Sequence, residues 1–338
     1  MEEILLLGIK DKQGYLSFWN DNISYALRGC ILIELALRRR IALVRDPNRR
    51  RVSLSERLVE VIDDRQTGET ILDETLRMMK AQQDPPAPPG APAGSAGSGG
   101  EKLGVNNWVD LLSGETWNVL KIGFQLKQVR ERLAKGLVDK GVLRTEKRNF
   151  LLFDMATHPV ADTKTKADII RRVVSMLTAT TSTVPREALL EEGTQCRVLR
   201  GVCLVCAAYT ASVLDNAFGG SPTSTGALGY EEREAAFARA DEILAEFSNW
   251  PFGSGLGESG STPGSRKRQG SRIATGTTTD PGRESILGLV TDAKKEMNSG
   301  LAGVSSSGPS QPLDDSEDLG FELVAGVLEV LSKLDSLL

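Results

Sequence analysis

The segment 21–40, which contains NISYALRGCILIELALRRR, constrains this chain more than any other. Its second half is apolar on nearly every face and three arginines close it, the pattern of a buried helix with a charged C-terminus. A helix without a polar face needs neighbours on every side, so other segments must surround it. Residues 118–140 place Leu120, Phe124, Leu126, Val129, Leu133, Leu137 and Val138 at helical spacing, with Gly141 as a stop. Residues 194–218 and 230–247 read as further helices. The last, 321–338, carries Leu323, Val324, Val327, Leu328, Val330, Leu331 and Leu334, and is expected to dock into the core.

Three stretches, roughly 84–104, 251–282 and 299–318, are rich in Pro, Gly and Ser and cannot bury enough apolar surface to offset the entropy of ordering them. They read as disordered insertions; the basic SRKRQGSR of the middle one fits a solvated linker. Without them about 265 residues remain, a size suited to one compact helical domain spanning 1–338. The expected class is therefore mainly α. Two places break the helical period. Residues 142–160 give two short apolar runs around the polar 145–149, which reads as a β-hairpin. In it Phe150, Leu151, Leu152 and Phe153 are consecutive, so two of them face away from whatever the others pack on. That strand is either covered on both faces or an exposed apolar edge for a second subunit or for lipid. A second short strand pair is expected through 41–44 and 51–54.

The 338 residues carry 41 basic and 45 acidic side chains, a net charge of -4, so affinity for an anionic partner must come from a local patch. Residues 28–51 hold Arg28, Arg38, Arg39, Arg40, Arg45, Arg49, Arg50 and Arg51 against Glu34 and Asp46. This run reads either as such a patch or as a solvated helix end and loop. Cys203 and Cys206 spell C-x-x-C, but His158 is the one histidine and there is no second cysteine pair, so the thiols read as core packing, with no metal expected. No triad, no P-loop and no identifiable general base is present, and neither catalysis nor a cofactor is expected. MEEILLLGIKDK lacks the features of a secretory signal, and the longest apolar run, GVCLVCAAYTASVL, falls short of the ~20 residues that cross a bilayer.

One constellation suits a phosphate. Lys127 and Arg130 are three residues apart on the expected long helix, where side chains share a face; arginine grips two oxygens and lysine adds a compact charge. Alone, the pair equally fits a solvated face. Trp19, in the loop GYLSFWNDN ahead of the helix that carries Arg28, is either a core indole or the kind found where a protein meets lipid head groups.

The segments EILLLGIKDKQGYLSFWNDNISYALRGCILIELALRRRIAL, NNWVDLLSGETWNVLKIGFQLKQVRERLAKGLVDKGVLRTEKRNFLLFDMATHP and FELVAGVLEVLSKLDSLL strongly resemble the Golgi phosphoprotein 3 family. The resemblance implies a mainly α fold with a protruding β-hairpin, and a cytosolic protein on the cytoplasmic face of trans-Golgi membranes. It implies binding to phosphatidylinositol 4-phosphate and retention of Golgi glycosyltransferases by their cytosolic tails, linked to coatomer. It puts the head-group pocket on Trp19 of SFWND, Arg28 of LRGC, and Lys127 and Arg130 of QLxxVRERLAK. Lys127 stands where animal members have arginine. The hairpin, with Phe150, Leu151, Leu152 and Phe153, corresponds to the element for homo-oligomerisation and membrane contact. The coatomer link in the family draws on an arginine-rich N-terminal arm that these 338 residues do not include. The alternative reading, a winged-helix-like nucleic-acid module, predicts salt-dependent duplex binding indifferent to Trp19; the resemblance implies no nucleic-acid partner.

Overall fold

The computed structural model describes residues 1–16, 22–85, 100–116, 118–150, 153–181, 183–219, 227–254, 281–302 and 318–334. In chain order they form α1 (Glu2–Gly8), α2 (Asn22–Leu37), β1 (Ile41–Leu43), β2 (Val59–Val61), α3 (Thr70–Gln83), α4 (Val105–Ser113), α5 (Val129–Asp139), β3 (Glu146–Phe150) and β4 (Phe153–Thr157). There follow α6 (Thr163–Leu177), α7 (Arg197–Thr210), α8 (Leu214–Phe218), α9 (Tyr230–Phe247), α10 (Pro281–Ala302) and α11 (Leu319–Ser332). The fold is mainly α, with two small antiparallel strand pairs among the described residues. None of the described helices is long and apolar enough to cross a membrane.

The centre of the core is α2 laid against α11, with α7 packed on both. Both central helices are buried almost all round, as their sequences require. Gly29 allows the close approach: a Cβ there would lie 3.1 Å from Leu331 and 3.2 Å from Val327. A charged group is buried in the first turn of α11. Glu322 is fully buried, and its carboxylate accepts from Arg49 Nε at 3.1 and 3.2 Å, from Arg49 Nη2 at 3.2 Å, and from Arg57. A buried carboxylate is tolerated when paired in this way. The N-terminus of α7 is closed from another element, since Glu296 of α10 accepts from the Val198 N–H at 2.8 Å.

Most of the arginine run is consumed internally. Arg38 pairs with Glu34, Arg39 with Asp318, Arg40 with Asp63 and Arg49 with Glu322. The run is thus no single open cationic patch, because Glu34 on the same helix and Asp63, Asp318 and Glu322 from other segments pair four of its arginines.

Several elements differ from their sequence-based expectation. The 118–140 helix divides into a 3-10 turn (Val119–Phe124), a bend, and α5. The bend forms because Leu126 turns into the core and donates its N–H to the Leu112 carbonyl at 3.1 Å, and Gln128 then takes a left-handed conformation (φ 53°). The 194–218 helix divides into α7 and α8 at Ser212 (φ 53°). Strand β1 pairs with β2, in the register Ile41↔Val61 and Leu43↔Val59, not with 51–54. Val59 and Val61 face the core in alternation, whereas Arg49–Arg51 curl into a 3-10 turn towards Glu322. In the hairpin, the polar 145–149 was expected to be the turn but supplies strand β3. Phe150 and Phe153 are Cα partners that close it; Leu151 and Leu152 lie outside the described residues.

Described chain also extends into the margins of the expected insertions. Lys102 pairs with Glu60, the Leu103 carbonyl accepts from Val59, and Phe252 is buried. Residues 86–99, 255–280 and 303–317 lie outside the described residues.

Candidate functional site

The site is built where α2, the end of α4 and the start of α5 meet. Helix α4 ends at Gly114, whose left-handed backbone (φ 91°) lets its N–H reach the carbonyls of Asp110 and Leu111. The Leu112 carbonyl is left to other donors and receives two: the Leu126 N–H at 3.1 Å and Arg28 Nε at 3.2 Å. The Arg28 side chain thus bridges α2 to the two segments that frame α5. Its Nη2 donates to the Leu126 carbonyl at 2.8 Å, and its Nη1 to the Ser24 carbonyl at 3.1 Å and Ser24 Oγ at 2.7 Å. Arg28 is 6% exposed. A residue expected to reach for a phosphate is first of all a tie between backbone segments.

Burial and, after it, the positive charge of Arg130 lower the Arg28 pKa to about 10 against the opposing effect of Glu131. The group stays cationic at neutral pH. Arg28 reaches the Leu126 carbonyl and Arg130 lies in the first turn of α5, so two guanidinium groups approach the same end of that helix. Like charges so placed repel, and an anion between or above them would relieve the repulsion.

Lys127 is exposed and forms no ion pair with any other described residue, and it sits in the bend, one residue before the α5 N-cap. Arg130 is half-buried in the first turn of α5. The two are therefore not neighbours on one continuous helix. They flank a helix N-terminus whose N-cap, Gln128, makes no side-chain capping bond, and the dipole there adds to their attraction for an anion. The structure brings together Arg28, Lys127 and Arg130; Trp19 lies outside the described residues.

Sequence reasoning found these cations but missed the carbonyls that hold Arg28. No local pattern could have signalled them, because Leu112 and Leu126 are 84 and 98 positions away. It also missed a cleft of about 610 Å³ between α1, α5 and α6. Six of its charged side chains are paired across the cleft and along its walls: Glu2 with Lys140, Glu3 with Arg172, and Asp168 with Arg171. Elsewhere, burial pushes the Cys203 and Cys206 thiols well above their usual range, as befits side chains packed as small hydrophobes. No group of metal-ligating side chains gathers among the described residues.

The profile of the Golgi phosphoprotein 3 (GPP34) family matches residues 1–258. The chain belongs to this family. It is 53% identical over 252 residues to a Schizosaccharomyces pombe protein named vacuolar protein sorting-associated protein 74, covering 75% of this chain and 67% of that protein. It is 46% identical over 338 residues to an Eremothecium gossypii protein of the same name, covering the whole chain and 83% of that protein. The cationic site and the β3–β4 hairpin both lie in the part of this Golgi phosphoprotein 3 chain that the family profile matches.

Proposed function

We propose that this chain is a peripheral membrane adaptor of the Golgi that binds phosphatidylinositol 4-phosphate and retains or sorts glycosyltransferases through their cytosolic tails, in coatomer-dependent retrograde traffic. Family membership and kinship to vacuolar protein sorting proteins support a Golgi-associated trafficking role. The observation that carries the lipid reading is the meeting of Arg28, Arg130 and Lys127 at the start of α5, where Arg28 reaches the Leu126 carbonyl and Lys127 and Arg130 flank the helix N-terminus.

In this reading Lys127 and Arg130 take the 4-phosphate, in a single contact and a forked one respectively. Arg28 holds the frame and lends its positive field from beneath. Trp19 sets depth at the membrane surface. Phe150, Leu151, Leu152 and Phe153 form the hairpin end that touches the bilayer or a second copy. The hairpin suits that role, since β3 and β4 pack chiefly on each other and their described side chains are largely open to solvent. One charge near an anionic surface is worth only about 1 kcal/mol, so these contacts must act together.

Flotation with phosphatidylcholine vesicles carrying phosphatidylinositol 4-phosphate tests the assignment. Arg130→Ala and Lys127→Ala should remove the chain from the floating fraction while its melting temperature stays within a few degrees of wild type. Equal flotation of wild type and both variants would refute the site.

A further inference from the structure

Resting on this lipid-binding reading and extending it, we infer that the 3-10 turn Val119–Phe124 is a second membrane-contacting element, one that inserts aliphatic side chains into the bilayer beside the cationic site. Three large apolar residues stand out of the surface here: Val119 is 78%, Leu120 89% and Ile122 50% exposed. In water such a cluster is unfavourable, and the described residues leave it uncovered.

The turn is built to present these residues. A 3-10 helix repeats every three residues, so positions 121 and 124 share one face. Both point back to the protein: Lys121 Nζ pairs with Glu101 at 3.2 Å, and the Phe124 ring meets Trp108 edge-on with centroids 6.0 Å apart. Trp108 is itself buried in the core. Val119 and Ile122 share a second face, and Leu120 lies on the third with Gly123, which adds no side chain of its own. The start of the turn is fixed, since the Asn118 side chain accepts from the Leu120 N–H at 3.0 Å. The apolar tip is therefore held outward on a braced support.

Charge and size select the occupant. The turn runs directly into Leu126, Lys127 and the α5 N-terminus, so exposed aliphatic side chains and an exposed lysine follow closely on one another along the chain. Apolar groups next to cations match the boundary between acyl chains and anionic head groups. A protein partner of ordinary affinity needs about 800 Å² on each side, far more than three aliphatic side chains offer. A bilayer requires no such complementary area.

The test uses the full chain with Leu120→Ser, alongside Lys127→Ala. Binding is measured to phosphatidylcholine vesicles with phosphatidylinositol 4-phosphate, and separately to the water-soluble glycerophosphoinositol 4-phosphate. Leu120 is so exposed that its replacement should leave the fold intact, which the melting temperature checks. We expect Leu120→Ser to weaken vesicle binding about tenfold with soluble head-group binding unchanged, and Lys127→Ala to weaken both. Equal vesicle affinity for Leu120→Ser and wild type would overturn the inference and leave the head-group site standing. A shift in sedimentation of Leu120→Ser at unchanged vesicle affinity would likewise overturn it, in favour of contact with a second copy. A loss of soluble head-group binding in Leu120→Ser would overturn it too, since the turn would then be shaping the pocket. Wild-type chain that ignores the 4-phosphate in both assays would overturn the proposed function itself.

Discussion

Replacing Arg28 with alanine should destabilise the chain by about 2 kcal/mol in the absence of any lipid, whereas Lys127→Ala should change stability by less than about 0.5 kcal/mol. Arg28 gives two buried hydrogen bonds across the fold, to the Leu112 carbonyl at 3.2 Å and the Leu126 carbonyl at 2.8 Å. Bonds from a charged donor contribute about 1.5–3 kcal/mol each, so the pair contributes roughly 3–6. Against this stands the cost of holding the cation there, seen in a pKa lowered to about 10, which corresponds to roughly 3 kcal/mol at about 1.4 per unit. The difference, with the packing of the removed side chain, leaves about 2 kcal/mol. Arg28→Lys keeps the charge but cannot bridge both carbonyls with a fork, so it should recover only part of the loss. Urea unfolding with an unchanged slope is the assay, compared by midpoint across the three variants. If Arg28→Ala and Lys127→Ala unfold at the same urea concentration, Arg28 is not the tie between α2, α4 and the bend. A useful corollary is that lost lipid binding in Arg28→Ala speaks to the site only after its stability has been measured.

Glu322→Ala should be among the costliest single changes in the chain, about 3–5 kcal/mol, since it leaves Arg49 and Arg57 without their buried carboxylate; calorimetry showing a melting temperature near wild type would contradict this. Burial alone would raise the Glu34 pKa, but hydrogen bonds and charge from Arg200 and Arg38 outweigh it and set the folded value below 4.5. Its contribution is therefore present above pH 4.5 and lost as pH falls through the lower folded pKa, so Glu34→Gln should flatten the acid side of the stability profile. Gly14→Ala should loosen the hairpin base. With φ at 73° and a Cβ that would fall 2.3 Å from the Pro159 nitrogen, the change must break the His158 N–H bond to the Gly14 carbonyl; faster hydrogen exchange at His158 would register it, and unaltered protection would refute it.

The helices that sequence alone determined are those whose burial pattern is set by their own composition. Tyr230–Phe247 matches its expected bounds, α2 falls within its own and α11 begins two residues before the expected 321, and runs as apolar as ILIELAL have no stable state except a surrounded helix. The hairpin was also legible, but its turn was not. A polar run looks like a loop until its alternation is seen against a partner strand, and the β3–β4 register is what makes residues 146–149 a strand. The same limit applied at the candidate site. Residue type identified Arg28, Lys127 and Arg130 as candidates, while spacing set Lys127 and Arg130 on one helical face that does not exist. Only the tertiary structure decided that Leu126 turns inward, that Arg28 spends its hydrogen bonds on distant carbonyls, and that Val119, Leu120 and Ile122 point outward instead of into the core. Helical period reports which residues can share a face. Which face is buried depends on partners contributed by chain segments 80 to 100 residues away, and no local pattern encodes them.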